Sequence, residues 1–173
     1  MDQTTQWIKS VVVGCNFCPF AAPVLKSNSI RYVIGQYSTG RQMLDQLLKE
    51  MRLLDENTDI ETTFIIYPVG LGQFRDYLNF VNKAEQLNSN KGYDGVYQLA
   101  TFHPEYCFAG SAKDDPANFT NRSIYPMLHL LREESVTKAL AHFPDPDSIP
   151  QKNIDYARSK GLQYMQWLRG SCM

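Results

Sequence analysis

Residues 29–67 read SIRYVIGQYSTGRQMLDQLLKEMRLLDENTDIETTFIIY, and this stretch decides the fold class. Ser29 to Tyr37 is strand-like, because Tyr32 and Ile34 alternate against Arg31 and Val33 and β-branched and aromatic residues are frequent. Thr39 and Gln42 then form a capping box. Met43, Leu44, Leu47, Leu48, Met51 and Leu54 follow at helical spacing, on a segment with no interior Gly or Pro. Glu61 to Tyr67 is a second strand, stopped by Pro68.

Downstream, Phe74, Tyr77, Leu78, Val81 and Ala84 mark another amphipathic helix, and Gly95 to His103 reads as a third strand. Strand, helix, strand, helix, strand is the order that builds βαβ units. The expectation is an α/β fold with a small sheet of three or more strands layered with helices. Parallel pairing is the default, and an α+β, ferredoxin-like arrangement is the alternative. Upstream, Trp7, Ile8, Val11 and Val12 share one face of a helix that Gly14 can end, and Cys15 to Pro23 reads as a loop. After the polar stretch Gly110 to Asn121, a helix is predicted from Ser123 to His142, with Pro126 tolerated in its first turn. PDPDSIP then breaks the chain, before a last helix carrying Ile154, Ala157, Leu162, Met165 and Leu168 with Gly161 in its interior.

All 173 residues are read as a single globular domain, since 43% hydrophobic and 12% aromatic residues suffice for one core. Lys and Arg total 17 against 18 Asp and Glu, with no long block of one sign, so no nucleic-acid or polybasic membrane footprint is present. A small neutral or anionic molecule is the more natural partner. No stretch approaches about 18 consecutive apolar residues, and the N-terminus lacks a cationic start with a long apolar run. Four irregularly placed cysteines do not make a disulfide framework, and reduced thiols and a cytoplasmic location are expected. The sequons at Asn118 and Asn121 are discounted for the same reason. Nothing in the sequence signals a particular oligomeric state.

Chemistry-bearing residues crowd into residues 101–134, TFHPEYCFAGSAKDDPANFTNRSIYPMLHLLREE. His103 stands at the end of the third strand, where α/β sheets place ligand groups. On the predicted helix, His129, Arg132 and Glu133 are spaced to share a face. His103, His129 and Glu133 together would suit a divalent metal such as zinc or iron. Without metal, His103 or His129 would act as acid or base while Arg122 and Arg132 hold an anionic group. The structural reading of the same residues is that Asn121, Arg122 and Arg132 brace the segment, the two aspartates Asp114 and Asp115 make turns, and the module binds a partner through an aromatic surface.

Two further motifs carry weaker signals. Cys15-Asn-Phe-Cys18 can be a redox dithiol, but Pro23 shortens the helix that should carry the thiol, and a packed or ligand-facing Cys18 is the simpler reading. Gly70-Leu-Gly72 opens like a dinucleotide fingerprint, yet Arg75 occupies the place of its third glycine. His142, at a helix C-terminus, needs no catalytic role.

NFCPFA, ATFHPEYCFAG and NRSIYPMLHLLREES together resemble the bacterial family catalogued as domain of unknown function 1415, from Trp7 to about Ile154. The resemblance lends an identity and no reaction. Its pattern falls on Cys18, Pro19, Phe20, His103, Pro104, Tyr106, Phe108, Asn121, Arg122, Ser123, Pro126, His129, Arg132 and Glu133. Cys15 stands where the family has an apolar residue, which weakens the dithiol, and Ile124 replaces a proline. The resemblance therefore adds Cys18 to a site of His103, His129 and Glu133 with ligand contacts from Tyr106, Asn121, Arg122 and Arg132.

Overall fold

The computed structural model describes residues 2–35, 39–141 and 143–173. The part of the first strand predicted to reach Tyr37, and His142 with the helix end assigned to it, lie outside these residues. Helix α1 (Asp2–Trp7) continues as a π-helix over Ile8–Val13, and α2 (Ala21–Lys26) interrupts what the sequence suggested was a loop. Strand β1 (Ile30–Ile34), helix α3 (Gly40–Glu56), strand β2 (Thr62–Ile66), helix α4 (Phe74–Asn90) and strand β3 (Tyr97–Phe102) follow in the order expected. Thr39 caps α3 by accepting from the Gln42 amide.

The next element departs from expectation. Residues 123–126 are irregular, with a bend at Ile124 and Tyr125, Met127–Arg132 form strand β4, and helix α5 (Glu133–Ala141) begins only there. A run of apolar residues buried on two faces carries no periodicity that distinguishes strand from helix. Pairing decided it: β4 lies between β2 and β3, antiparallel to both. The sheet, ordered β1-β2-β4-β3, is mixed, with β1 and β2 parallel across the α3 crossover. Among the described residues, α6 (Ile149–Lys160) and α7 (Leu162–Gly170) complete the chain. Gly161, at φ 80°, separates them, so the single last helix of the sequence reading is two.

Strand alternation divides the core into two layers. On one face, Ile65, Leu128, Leu130 and Tyr97 meet Met43, Leu47, Met51 and Leu54 of α3 and Tyr77, Phe80, Val81 and Ala84 of α4. Each such side chain contributes roughly 1.5–3 kcal/mol on full burial. On the other face, Phe64, Ile66 and Met127 meet Trp7, Ile8 and Val11, with Phe119, Ala157 and Met165 closing over them. No helix among the described residues is long and apolar enough to cross a membrane.

One charge lies inside the first layer. Glu50 of α3 is 1% exposed and accepts from Arg31 Nε at 2.7 Å and from Gln46 Nε2 at 2.6 Å. A buried carboxylate stripped of its partner is costly, whereas an apolar replacement of both partners is nearly neutral. Arg31 is itself 36% exposed and Gln46 still donates in its absence, so urea unfolding of Arg31→Ala should show a loss of roughly 1–2 kcal/mol. The double variant Arg31→Met/Glu50→Met should recover most of it.

Candidate ligand-binding site

Because residues 127–132 form a strand, His129 and Arg132 project to opposite faces of the sheet, and they share no helical face with Glu133. Arg132 Nη2 lies on the α3 side, where it donates to the carbonyls of Leu54, Asn57 and Ile60 at 2.7, 3.1 and 3.0 Å. It ties down the end of α3 and the turn after it. Glu133 starts α5, with its amide bonded to Val96 O.

His103 faces away from His129. It follows Phe102, whose ring is on the His129 side, so alternation turns the imidazole toward Phe74 and Tyr77 of α4. The residue is fully buried, with Nε2 donating to Leu71 O and Nδ1 accepting from the Glu105 amide, both at 2.9 Å. Burial lowers its pKa. A neutral ring with both nitrogens occupied is a brace for the 103–106 turn and has no lone pair left for acid/base work. The shared site of His103, His129 and Glu133 is thus not assembled. No group of three His, Cys, Asp or Glu among the described residues is placed to hold a metal ion.

The polar residues between them brace the same loop. Arg122 donates from Nε to Tyr106 O at 2.9 Å and from Nη2 to Lys113 O at 2.6 Å, with its guanidinium over the Phe119 ring. Asn121 donates to Thr101 O and Asn118 bridges Phe108 N and Ala112 O. Trp7 Nε1 and Arg169 Nε reach the carbonyls of Arg122 and Ser123. Asp115 caps the short 3-10 turn at Pro116–Thr120 and pairs with Arg158 at 2.7 Å. Tyr106 packs its ring on Phe74 and Phe108.

The open chemistry lies on the His129 face. Register aligns Tyr32, Phe64, His129 and Ala100 in one row across the four strands. The first three form a stack, with Phe64 and His129 ring centroids 3.7 Å apart and planes 11° from parallel. Ala100 ends the stack with a methyl group and leaves room beside His129. The result is a cavity of about 450 Å³ between the sheet and a wall made by the π-helix, α2 and α5. Its lining is apolar for the most part: Ile8 and Val12, Pro19, Phe20 and Val24, Phe64 and Phe102, Leu131, Val136 and Ala139, with Cys18 in the wall and Thr62 beside His129. Glu61 and Arg132 are the charged residues at its margin, and exposed Pro23 and Gln98 mark where it meets solvent. The volume is in the range of small-molecule sites. A π-helical turn, rare and often found at functional sites, forms part of the wall.

The sequence profile described as "Protein of unknown function (DUF1415)" matches residues 1–167. The chain belongs to the DUF1415 family. No curated protein and no solved structure matches it. The resemblance read in the sequence thus stands. Of the DUF1415 pattern quoted above, Cys18, Pro19, Phe20, His129 and Arg132 line the cavity, while His103, Tyr106, Asn121 and Arg122 hold the loop that follows β3. Thr62, Ala100 and the α5 residues were missed by the sequence reading. The signal available was a small Ala100 between Gln98 and Phe102 on one strand face.

Thr62 fixes the state of His129. Its single hydroxyl proton goes to Leu130 O, which can only accept, so Oγ1 accepts from His129 Nε2 at 2.7 Å. His129 is therefore the Nε2–H tautomer. Burial pushes its pKa down to about 3, and burial likewise raises the Cys18 thiol despite the Phe20 and Ala21 amides that favour the thiolate. Cys15 is buried in the neighbouring core, among Phe17 and Tyr156, and forms no disulfide with Cys18. His129 and Cys18 are therefore both uncharged at neutral pH.

A histidine whose pKa is lower folded than unfolded binds fewer protons in the native state, so its share of stability is present above pH 6.5 and lost as pH falls toward 3. For His129 the loss at pH 4.5 is on the order of 2–3 kcal/mol. Urea midpoints of wild type and His129→Gln, compared at pH 7.5 and 4.5, should show a clearly shallower pH dependence in the variant. Equal dependence would contradict this protonation state.

Proposed function

We propose that this DUF1415 protein is a small-molecule-binding protein whose ligand is neutral and mainly apolar, held over the sheet between α2 and α5. The observation that carries the reading is the cavity of about 450 Å³ with an apolar wall and one uncharged imidazole in its floor. Burying an ion there without a partner would cost far more than burying a neutral group. The one cation among the described lining residues, Arg132, has its Nη2 committed to three carbonyls on the opposite face. An anionic substrate, the expectation from sequence, is therefore disfavoured.

The same facts argue for binding over catalysis. A base whose pKa is about 3 has little driving force to take a proton near neutral pH. A thiol held protonated by burial is a poor nucleophile, which removes the support for redox chemistry at Cys18. Apolar burial supplies the affinity, on the order of 25 cal/mol per Å² of apolar surface removed from water.

The neutral, apolar dye Nile red tests this. Its fluorescence should rise on titration with wild-type protein and saturate at one dye per chain. Ala100→Phe fills the space beside His129 and should weaken binding about tenfold or more, equivalent to 1.4 kcal/mol, with the far-ultraviolet circular dichroism spectrum unchanged. Dye binding that is absent in wild type, or equal in a folded Ala100→Phe variant, would refute the assignment.

A further inference from the structure

The floor of the cavity holds a ring nitrogen to which no described residue bonds. His129 gives its Nε2 proton to Thr62 Oγ1, which leaves Nδ1 as a bare acceptor. Nδ1 takes no hydrogen bond from any described residue, and it is not among the sealed unpartnered atoms, which are Tyr32 Oη, Thr63 Oγ1, Tyr67 Oη and Asn88 Oδ1. It is therefore accessible, and the space next to the ring is the cavity over Ala100. His103 offers the contrast within the same chain, since both of its nitrogens are occupied by backbone groups.

We infer that His129 Nδ1 recognises a hydrogen-bond donor, an O–H or N–H group, on the ligand's apolar body, and that Thr62 is the positioning residue that keeps this nitrogen an acceptor. The recognition presupposes the binding reading above and narrows it to a class: aromatic or alicyclic molecules bearing a single hydroxyl or N–H. The Thr62 hydroxyl is anchored on Leu130 O and has no second proton to give, so it cannot donate to Nε2 and drive the proton to Nδ1. The imidazole is thus held as a one-way acceptor. A ligand presenting only an acceptor at that place would face lone pair against lone pair. A purely apolar one would leave Nδ1 buried without a partner, which costs more than a satisfied hydrogen bond contributes net.

The test measures displacement of Nile red by 2-naphthol and by 2-methylnaphthalene, which differ by a hydroxyl in place of a methyl. Wild type should bind 2-naphthol more tightly. In His129→Phe that preference should fall by at least about fivefold, while 2-methylnaphthalene still displaces the dye. Thr62→Val keeps the side-chain shape and the imidazole but removes the acceptor for Nε2–H, and it too should lose most of the preference. A preference unchanged in either variant would overturn the inference and leave the cavity intact as an apolar site. Failure of both naphthalenes and the dye to bind wild type would instead overturn the binding reading itself.

Discussion

Strand β4 is paired on both edges, and that double pairing constrains everything around it. With β2 on one side and β3 on the other, its backbone has no freedom to rotate, so its side chains must alternate between two layers. Leu128, Leu130 and Arg132 go to the α3–α4 layer, and Met127, His129 and Leu131 go to the other. The segment MLHLLR builds two cores at once. It also separates residues that are neighbours in sequence: Arg132 secures the end of α3, and His129 becomes the floor of a cavity.

The cavity exists because one layer is incompletely filled. Near Met127 and Ile66, α1, the π-helix, α6 and α7 close over the sheet. Toward the other end of the strands, the row through Phe64 and His129 stops at Ala100, and α2 and α5 stand off rather than packing down. A void of this size costs stability unless something occupies it. Groups that elsewhere carry reactivity are kept neutral there by burial, His129 by a lowered pKa and Cys18 by a raised one. Such surroundings suit recognition of an uncharged molecule.

Much of the fold was legible from residues 29–103, because α3 and α4 each bury one face at a clear helical period and frame the β-branched and aromatic strand segments between them. Strand β4 was not. Met127, Leu128, Leu130 and Leu131 fit a helical stripe as well as a strand buried on both sides, and Pro126 is acceptable before either. Gly161 was legible as a weakness but not as a break, since only its positive φ decides that. For the site, the error in β4 propagated: helical spacing grouped His129 with Arg132 and Glu133, and strand geometry undoes the grouping. His103 was correctly placed at a strand end, but one residue of alternation sends its ring to the other face. Cys18 and His129 were brought together only by the family pattern, because they are distant in sequence and meet only across the cavity that both line.

The chemistry of the cavity turns on the state of one imidazole, and long-range ¹H–¹⁵N correlation spectra of the three histidines report that state directly. Between pH 8 and 5, the His129 ring should stay neutral, with the proton on Nε2 and a bare Nδ1. A His129 ring that titrates in this interval, or that carries its proton on Nδ1, would contradict the bare acceptor on which the cavity's chemistry rests.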